Sequence, residues 1–428
     1  MRTRQNSDLP SIFEPDSSSC LVFDIDLFLT WDGGYNLLFI LLEDITESGY
    51  NGIILLAYQK KPISFKIKFV IECILSIFLK KFSPRSKYYN NLRRILQVYG
   101  LGNTCPISYN TYPTEVLNRL KLLPLCIDKV KLLSHSPQAV SSCTNIFYLP
   151  DLQHILYPKL FTSAEIIRRN KDINDAIASH SEFLLFCNYT KELLYQYFDL
   201  PADLSVNVLP MGPKLPPNLK FRDSIRLQSS YFKANFAKLS THIRSSPNIP
   251  LFLCPNQFWK HKRHDILFEA IRILSRISTD FHVICTGTMY EPRFPDYISH
   301  LKSQYCDLID SKYLSVLNFL PEKIFKSLLR QSDCMLQTSD SEGAPGGSVY
   351  HFAYQYQKSI ICADYNFNHS VREYPLSYFY SPQNPESLAD RMHVFISRMK
   401  QENYTNIPPS YFMSARDVRL SALKSIIS

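Results

Sequence analysis

Short apolar segments alternate with amphipathic helical patterns along most of this chain, in two separate series. The first series opens with an apolar run, Cys20 to Ile25, which is followed by a helical pattern over Tyr35 to Thr46. The second opens at Pro250 to Cys254 and continues with an amphipathic pattern over Asp265 to Ser278. Alternation of this kind predicts a mainly parallel sheet in each half, flanked by helices. We therefore expect an α/β protein with two Rossmann-like domains whose sheets face a central cleft.

The domain boundaries are predicted from breaks in this pattern. A chain of 428 residues is long enough for two domains of ordinary size. The segment 214–248 is basic and lies at a run with three prolines, Pro213, Pro216 and Pro217, which is typical of a linker. We predict a disordered tail at 1–19, a first domain at 20–213 and a second domain at 249–405. A C-terminal helix at 406–428 is expected to pack back on the first domain.

A glycine-rich turn follows one of the apolar runs in the second half. Three of only eleven glycines fall within one five-residue stretch, which is Gly343, Ala344, Pro345, Gly346 and Gly347. A strand, a glycine turn and a helix start expose backbone N–H groups beside the positive end of the helix dipole, which suits a phosphate. Glu342, at the edge of the turn, can accept hydrogen bonds from hydroxyls. The combination indicates a sugar phosphate or nucleotide sugar; a plain strand-to-helix loop is the alternative.

A basic loop follows the apolar run that ends at Cys254. Its cations, Lys260, Lys262 and Arg263, are predicted at the carboxyl end of a strand. Such a cluster can neutralise a diphosphate and stabilise it as it leaves. The alternative is a solvated basic loop. Because no Asp-x-Asp motif stands in a suitable loop, we expect that neither a metal nor another cofactor is needed to hold the diphosphate.

These residues resemble the donor-binding domain of retaining glycosyltransferases of family 4, which have the GT-B architecture. The Arg-x4-Lys pair that holds the donor diphosphate in that family falls here on Gln257 and Lys262. Its Glu-x7-Glu motif falls on Glu342, which matches the glutamate that contacts the transferred sugar, and on Tyr350, at the ribose-binding position. The run from Asn256 to Trp259 is similar to a bacterial cell-surface polysaccharide subgroup. The donor-binding residues that the resemblance implies are Asn256, Gln257, Lys260, Tyr350 and the glycine turn.

The first half resembles the acceptor-binding domain of the same family more loosely. Gly33 and Gly34 stand where the family has a glycine-rich loop near the donor phosphates and the acceptor. Asp151, Gln153 and His154 are similar to an Asp-x-Gln-His pattern of the same subgroup, whose histidine lies against the reacting sugar. The resemblance implies an active-site role for His154 and an acceptor-binding or structural role for Asp151 and Gln153. A lone loop histidine, by contrast, is more often structural.

Positive charge is concentrated in the segment 60–94, which holds ten basic residues and one acidic residue in a chain of net charge +9. Within it, 65–82 is nearly all apolar, but its uninterrupted apolar run is too short for a confident transmembrane span. A basic, apolar helix of this kind can lie at the surface of an anionic membrane; the alternative is an internal helix capped by solvated lysines. We expect no nucleic-acid partner, because no base-stacking module or zinc finger is visible.

The eleven cysteines are scattered, and no two of them have CxxC spacing. That pattern predicts free thiols in a reducing compartment, and the amino terminus lacks the apolar region of a signal peptide. We therefore expect a cytoplasmic protein that contacts the inner face of the plasma membrane peripherally.

Residues and resemblance together predict a retaining, metal-independent hexosyltransferase. It would move a hexose from a nucleoside diphosphate sugar to a glycan or lipid-linked acceptor, in the synthesis of a cell-surface polysaccharide such as lipopolysaccharide. The predicted catalytic residues are His154, Glu342 and Lys262. Two alternatives stay open: a GT-B binding subunit whose transfer activity is impaired, suggested by Gln257 and Tyr350, and a GT-B sugar-nucleotide epimerase.

Overall fold

The computed structural model describes residues 19–26, 28, 32–50, 53–59, 104–109, 129–134, 143–210, 249–309, 311–320, 322–345, 347–400, 407 and 409–427. The predicted basic membrane-surface segment at 60–94 and the predicted linker at 214–248 lie outside the described residues, as does the predicted tail apart from Ser19.

The first lobe is built on a seven-stranded parallel sheet in which the strand order is β3-β2-β1-β4-β5-β6-β7. Its elements are β1 (Ser19–Asp24), α1 (Asp32–Glu47), β2 (Ile53–Gln59), β3 (Thr104–Tyr109), β4 (Lys129–Ser134), β5 (Thr144–Tyr148), α2 (Gln153–Leu156), α3 (Ser163–Ala178), β6 (Glu182–Leu185), α4 (Asn188–Tyr197) and β7 (Val206–Val208). The order reverses direction between β1 and β4, as in a Rossmann sheet, and such a reversal opens a crevice at the carboxyl ends of the strands.

The second lobe is built on a six-stranded parallel sheet in which the strand order is β10-β9-β8-β11-β12-β13. Its elements are β8 (Leu251–Cys254), α5 (His264–Leu274), β9 (His282–Thr286), α6 (Tyr297–Gln304), β10 (Leu314–Leu317), α7 (Glu322–Gln331), β11 (Cys334–Gln337), α8 (Gly347–Gln355), β12 (Ser359–Ala363), β13 (Ser377–Tyr380), α9 (Pro385–Lys400) and α10 (Pro409–Ile427). The reversal here lies between β8 and β11. Two parallel sheets with flanking helices confirm the predicted α/β class.

Burial explains why the second lobe could be read from its sequence. Every residue of β8, β9, β11 and β12 is buried, as expected for parallel strands covered by helices on both faces. Helix α5 buries the stripe that includes Leu267, Ile271 and Leu274 against this sheet. The predicted helix is confirmed, and its apolar face is the one that the spacing predicts.

Helix α10 packs against both lobes. Leu423 and Ile426 lie in the core of the first lobe, while Tyr411 and Phe412 pack against the core of the second. Between these two contacts, the buried Arg419 donates through Nε to Asp44 Oδ2 of α1 at 2.5 Å. Helix α10 therefore ties the lobes together, and a buried ion pair fixes its position.

The structure corrects the prediction for Gly33 and Gly34. The sequence suggested a turn at these glycines before a helix starting at Tyr35, but α1 already begins at Asp32. Glycine costs a helix interior about 1 kcal/mol per residue relative to alanine, which is why the local pattern suggested a later helix start. The two glycines therefore belong to the first helical turn after β1 and do not form a separate loop.

Candidate active site between the two lobes

The loops that carry the predicted donor-binding residues meet at one edge of the second sheet. Strands β8 and β11 pair directly, with Cys334 opposite Phe252 and Met335 opposite Leu253. Because both strands are parallel, the loops that follow them leave the sheet on the same side. The basic loop after β8 and the glycine turn after β11 are therefore neighbours in space.

An ion pair between Lys262 and Glu342 joins these two loops. Lys262 Nζ donates to Glu342 Oε1, and each side chain is only 11 % exposed. Lys262 lies at the end of a short 3-10 turn, and its backbone carbonyl accepts a hydrogen bond from Thr338 Oγ1 at 2.6 Å. Because the pair has so little exposure, loss of either partner would leave the other charge buried and uncompensated.

Gln337, which the sequence analysis did not single out, holds the carboxylate of this pair in place. Its side chain is fully buried at the end of β11, and Nε2 donates to Glu342 Oε1 at 3.1 Å. Its Oε1 accepts from Asn256 Nδ2 at 3.2 Å and from Ser339 Oγ at 2.7 Å. A polar residue that closes an otherwise apolar strand was the available sequence signal. Gln337 thus links both loops of the site through one amide group.

At two positions of the turn, neighbouring atoms lie so close that only glycine fits. A Cβ on Gly343 would lie 2.3 Å from the backbone oxygen of Pro150, in the loop after β5 of the first lobe. A Cβ on Gly347, whose φ is +56°, would lie 2.8 Å from Glu342 Cδ. Any side chain at Gly343 would therefore push the lobes apart, and one at Gly347 would displace the carboxylate.

The predicted set of free N–H groups in the turn needs one correction. The N–H of Gly347 donates to the carbonyl of Ala344 at 2.9 Å, so it is already used within the turn. Ala344 packs against the core of the first lobe and Pro345 is buried, while Gly346 lies outside the described residues. The turn therefore serves as a contact between the lobes as well as a candidate phosphate site.

The three predicted cations of the basic loop do not converge on one point. Lys260 is exposed, and its Nζ lies 4.2 Å from the centre of the Phe294 ring. Arg263 is held between two carboxylates, Asp265 and Asp340, in ion pairs of 2.9 and 3.1 Å. Of the three, Lys262 alone pairs with Glu342.

The two positions that depart from the family motif have local partners. Gln257 accepts a hydrogen bond from the backbone N–H of Thr288 at 3.0 Å through Oε1. Tyr350 packs edge-on against Tyr354 and Tyr374, with ring centres 5.9 and 5.8 Å away. Burial raises the pKa of the Tyr350 phenol. Tyr350 therefore belongs to an aromatic cluster of the second lobe and not to the contacts around Lys262.

Asp151 and Gln153 lie in the loop after β5, on the opposite side of the cleft. Asp151 Oδ1 accepts from the backbone N–H of Gln153 at 3.0 Å and from Arg169 Nη1 at 3.3 Å. The Cβ of Asp151 would also lie 3.3 Å from a Cβ on Gly343. The carboxylate therefore shapes its own loop, and the loop in turn touches the glycine turn.

His154 is buried behind this loop. Its Nε2 lies 3.0 Å from Asn170 Oδ1 of α3, and its ring meets that of Phe161 edge-on. Burial lowers the pKa of the imidazole and a nearby arginine lowers it further, although the bond to Asn170 acts in the opposite direction. Its Nδ1 is buried and has no hydrogen-bond partner in the part of the chain that the structure describes. At neutral pH the imidazole of His154 is therefore uncharged, and its Nδ1 can still form a hydrogen bond.

Further contacts join the two walls of the cleft. The Tyr157 hydroxyl donates to the backbone oxygen of Asp340 at 2.8 Å, and Arg293 Nη1 donates to the backbone oxygen of Leu160 at 3.4 Å. Together with the contact of Gly343 with Pro150, these bonds place the 150–160 segment opposite the loops of the second sheet.

The fold is similar to that of several solved structures. No family model and no curated relative matches the sequence. Among solved structures, the chain is similar to HepE of Anabaena in complex with UDP, with a TM-score of 0.56, 12 % identity, and coverage of 95 % of this chain and 98 % of HepE. WaaG, a glycosyltransferase involved in lipopolysaccharide biosynthesis, gives a TM-score of 0.54 at 11 % identity, with 96 % and 99 % of the chains covered.

A glycosyltransferase from Rickettsia africae gives a TM-score of 0.52 at 14 % identity, with 96 % of this chain and 95 % of that chain covered. At such identities the similarity concerns the fold, and it extends over nearly the whole length of both chains. The predicted GT-B architecture, with two Rossmann-like domains around a cleft, is thereby confirmed.

Proposed function

We propose that this protein is a retaining glycosyltransferase that moves a hexose from a nucleoside diphosphate sugar to a glycan or lipid-linked acceptor. The observation that carries the proposal is the Lys262–Glu342 pair, held by Gln337 beside a glycine turn that contacts the opposite lobe. A cation, a hydroxyl acceptor and backbone N–H groups at the switch point of a parallel sheet are the groups that a sugar diphosphate requires.

The donor class is suggested by the solved structures. HepE of Anabaena has been crystallised with UDP and with UDP-glucose; the second complex has a TM-score of 0.54 and 14 % identity to this chain. We therefore propose a UDP-sugar as the first donor to test. The shared fold supports this choice, and the side chains around Lys262 are compatible with it.

In the proposed reaction, Lys262 stabilises the diphosphate as the bond to the sugar breaks. Charge develops on the leaving phosphate oxygen, and a preorganised ammonium group with little water access stabilises that charge more than the ground state. Glu342, released from part of its pairing with Lys262, accepts hydrogen bonds from the sugar hydroxyls. His154, neutral and with Nδ1 free to bond, is proposed to lie against the sugar near the reacting carbon.

We further propose that the reaction requires no metal, that it takes place in the cytoplasm, and that the product belongs to a cell-surface polysaccharide. WaaG, which shares the fold, is involved in lipopolysaccharide biosynthesis. None of the described helices is long and apolar enough to cross a membrane. Peripheral contact with an anionic membrane through 60–94 remains part of the proposal.

An impaired binding subunit is the second candidate. Two observations favour it: Gln257 is bonded to the backbone at Thr288, and Tyr350 is packed among tyrosines. Neither position then offers a cation for the diphosphate or a carboxylate for the ribose. A protein of this kind would bind the donor without transferring its sugar.

The test is nucleotide release from a panel of UDP-, GDP- and ADP-sugars, measured with wild type and with Glu342→Gln. Slow nucleotide release from one donor supports the transferase, provided that the variant releases it about 10²–10³-fold more slowly. Glu192→Gln, which changes an exposed glutamate on α4, is the matched control and should release nucleotide at the wild-type rate.

Two other results would point elsewhere. Donor binding by calorimetry without release, even with cell-envelope extract as acceptor, favours the binding subunit. No binding of any donor contradicts both candidates, since both require an intact diphosphate site.

A further inference from the structure

A pocket of about 170 Å³ lies between the lobes and includes Ser341, the neighbour of Glu342. Tyr157 and Tyr189 contribute from the first lobe, and Tyr365 and Phe367 from the loop after β12 of the second. The proposed function makes no use of this pocket. Its position beside Glu342, however, places it next to the sugar in the proposed donor site.

Aromatic rings form much of the pocket wall. Tyr365 and Phe367 are stacked, with ring centres 5.4 Å apart and an angle of 16° between their planes. The ring centre of Tyr189, in the first lobe, lies 6.5 Å from that of Phe367. Tyr157 and Tyr365 are both fixed by hydrogen bonds from their hydroxyls to Asp340. The rings are thus rigid surfaces, suited to packing against the C–H face of a flat, partly apolar ligand.

Two carboxylates, Asp340 and Asp364, are among the polar groups that line the pocket. Asp340 is bonded to Tyr365 and Arg263, which orient it. Asp364 uses Oδ1 to bind Arg372, and its Oδ2 has no hydrogen-bond partner among the described residues. Among the described residues that line the pocket, none is lysine, arginine or histidine. Carboxylate oxygens accept hydrogen bonds from hydroxyls but repel anions.

We infer that this pocket binds the acceptor, and that the acceptor presents a neutral pyranose there. This inference rests on the proposed function and makes it more specific, because the acceptor could otherwise be a phosphate-bearing or acidic sugar. Aromatic faces fit the C–H surface of a sugar ring, and carboxylates fit its hydroxyls. A phosphorylated or uronic sugar would meet the two aspartates directly, while the arginines paired with them, Arg263 and Arg372, are not among the lining residues.

The experiment measures binding of neutral methyl pyranosides to the full chain by ligand-observed NMR, with UDP present and absent. The probes are the methyl glycosides of glucose, galactose, mannose and N-acetylglucosamine; glucuronate and glucose 6-phosphate are the anionic comparators. We expect at least one neutral glycoside to bind and the anions to bind about tenfold more weakly. Equal or tighter binding of the anions, or no binding of any neutral glycoside, would overturn the inference.

Variants assign the binding to this pocket. Tyr189→Ala should weaken glycoside binding about tenfold, and Tyr189→Phe, which keeps the ring, should not. Tyr195→Ala, an exposed tyrosine on the same helix, is the control. If Tyr189→Ala folds poorly, Asn366→Lys replaces it: a cation at this exposed pocket residue should raise glucuronate binding. Unchanged binding in the variant that is used would contradict the assignment.

UDP titration separates this inference from the proposed function. Tyr189→Ala and Asn366→Lys should leave the dissociation constant of UDP unchanged, since neither residue contacts Lys262 or Glu342. If wild type binds glycosides but no UDP or UDP-sugar, the donor proposal fails while the saccharide pocket stands. If it binds UDP but no glycoside, the pocket assignment fails alone.

Discussion

The two walls of the cleft differ in how they are held together. The wall formed by the second lobe is a network of charges, in which Lys262 pairs with Glu342 and Arg263 with Asp340. On the wall of the first lobe, His154 is buried and Pro150 meets the glycine turn through backbone contact. One wall therefore concentrates charge, and the other supplies mainly shape.

This difference indicates how the proposed chemistry is divided between the lobes. Charge that develops on a leaving diphosphate is best stabilised by groups that are already fixed, and the second lobe fixes them through Gln337. The first lobe positions His154 by burial and by a neutral hydrogen bond to Asn170, and its ion pair between Asp151 and Arg169 shapes the loop after β5. Removal of a charge from the second wall should therefore alter the rate strongly, and changes to the contact between the two walls should mainly alter stability.

The largest effect is expected from Lys262→Met, which removes the charge and keeps much of the side-chain volume. Release of nucleotide from the best donor should fall by about 10²–10³-fold, because the leaving diphosphate loses its cation. The measurement is kcat and KM for the donor, together with a denaturant unfolding curve. Lys302→Ala, an exposed lysine on α6, is the control. A fall of less than about fivefold would mean that the charged wall is not the catalytic one.

An intermediate effect is expected from Gly343→Ala, which places a methyl group against Pro150. The added Cβ would lie 2.3 Å from a backbone oxygen, so the lobes must shift, at a cost of about 1–3 kcal/mol. Chemical denaturation measures this cost. Gly49→Ala is the comparison: its φ of +78° is unfavourable for alanine, by about 1 kcal/mol, but nothing lies within 4 Å of its Cβ. If Gly343→Ala costs no more than Gly49→Ala, the two walls are not in firm contact.

The smallest effect is expected in the pH dependence of stability that His154 causes. Because burial lowers its pKa, the unfolded chain binds a proton that the folded chain does not once the pH falls below the ordinary histidine value, about 6.5. His154 therefore contributes stability above that pH, and the contribution is lost as the pH falls toward the lowered pKa. Urea unfolding between about pH 7.5 and about pH 5.5 should show a smaller loss for His154→Gln than for wild type.

The exposed His393 gives the control for this measurement, since His393→Gln should leave the pH dependence as in wild type. An unchanged slope in His154→Gln would show that folding does not lower the pKa of the imidazole, and would contradict the expected effect of its burial.

The second lobe was more predictable than the first. Strand β8, predicted at Pro250 to Cys254, was found at nearly these bounds, because a fully buried strand gives a short apolar run. Helix α5, predicted from Asp265 to Ser278, was found at His264–Leu274. In the first lobe, β3, β4 and α3 were not predicted. Strand β4, whose sequence is Lys-Val-Lys-Leu-Leu-Ser, carries two lysines, and one of them, Lys131, reaches the backbone oxygen of Ile426 in α10. That contact explains why a lysine stands within this strand, which the alternation of apolar residues does not explain.

The amino-acid sequence by itself determined the α/β class, the division into two series of strands and helices, and the two loops on which the site depends. These follow from local properties: apolar periodicity, glycine clustering and the position of charges after strands. Tertiary structure alone decided which charges meet. It paired Lys262 with Glu342, turned Lys260 and Arg263 to other partners, and made Gln337 the link between the loops. The physical reason is that such contacts join residues about eighty positions apart, and only the packing of parallel strands sets the distances between their side chains.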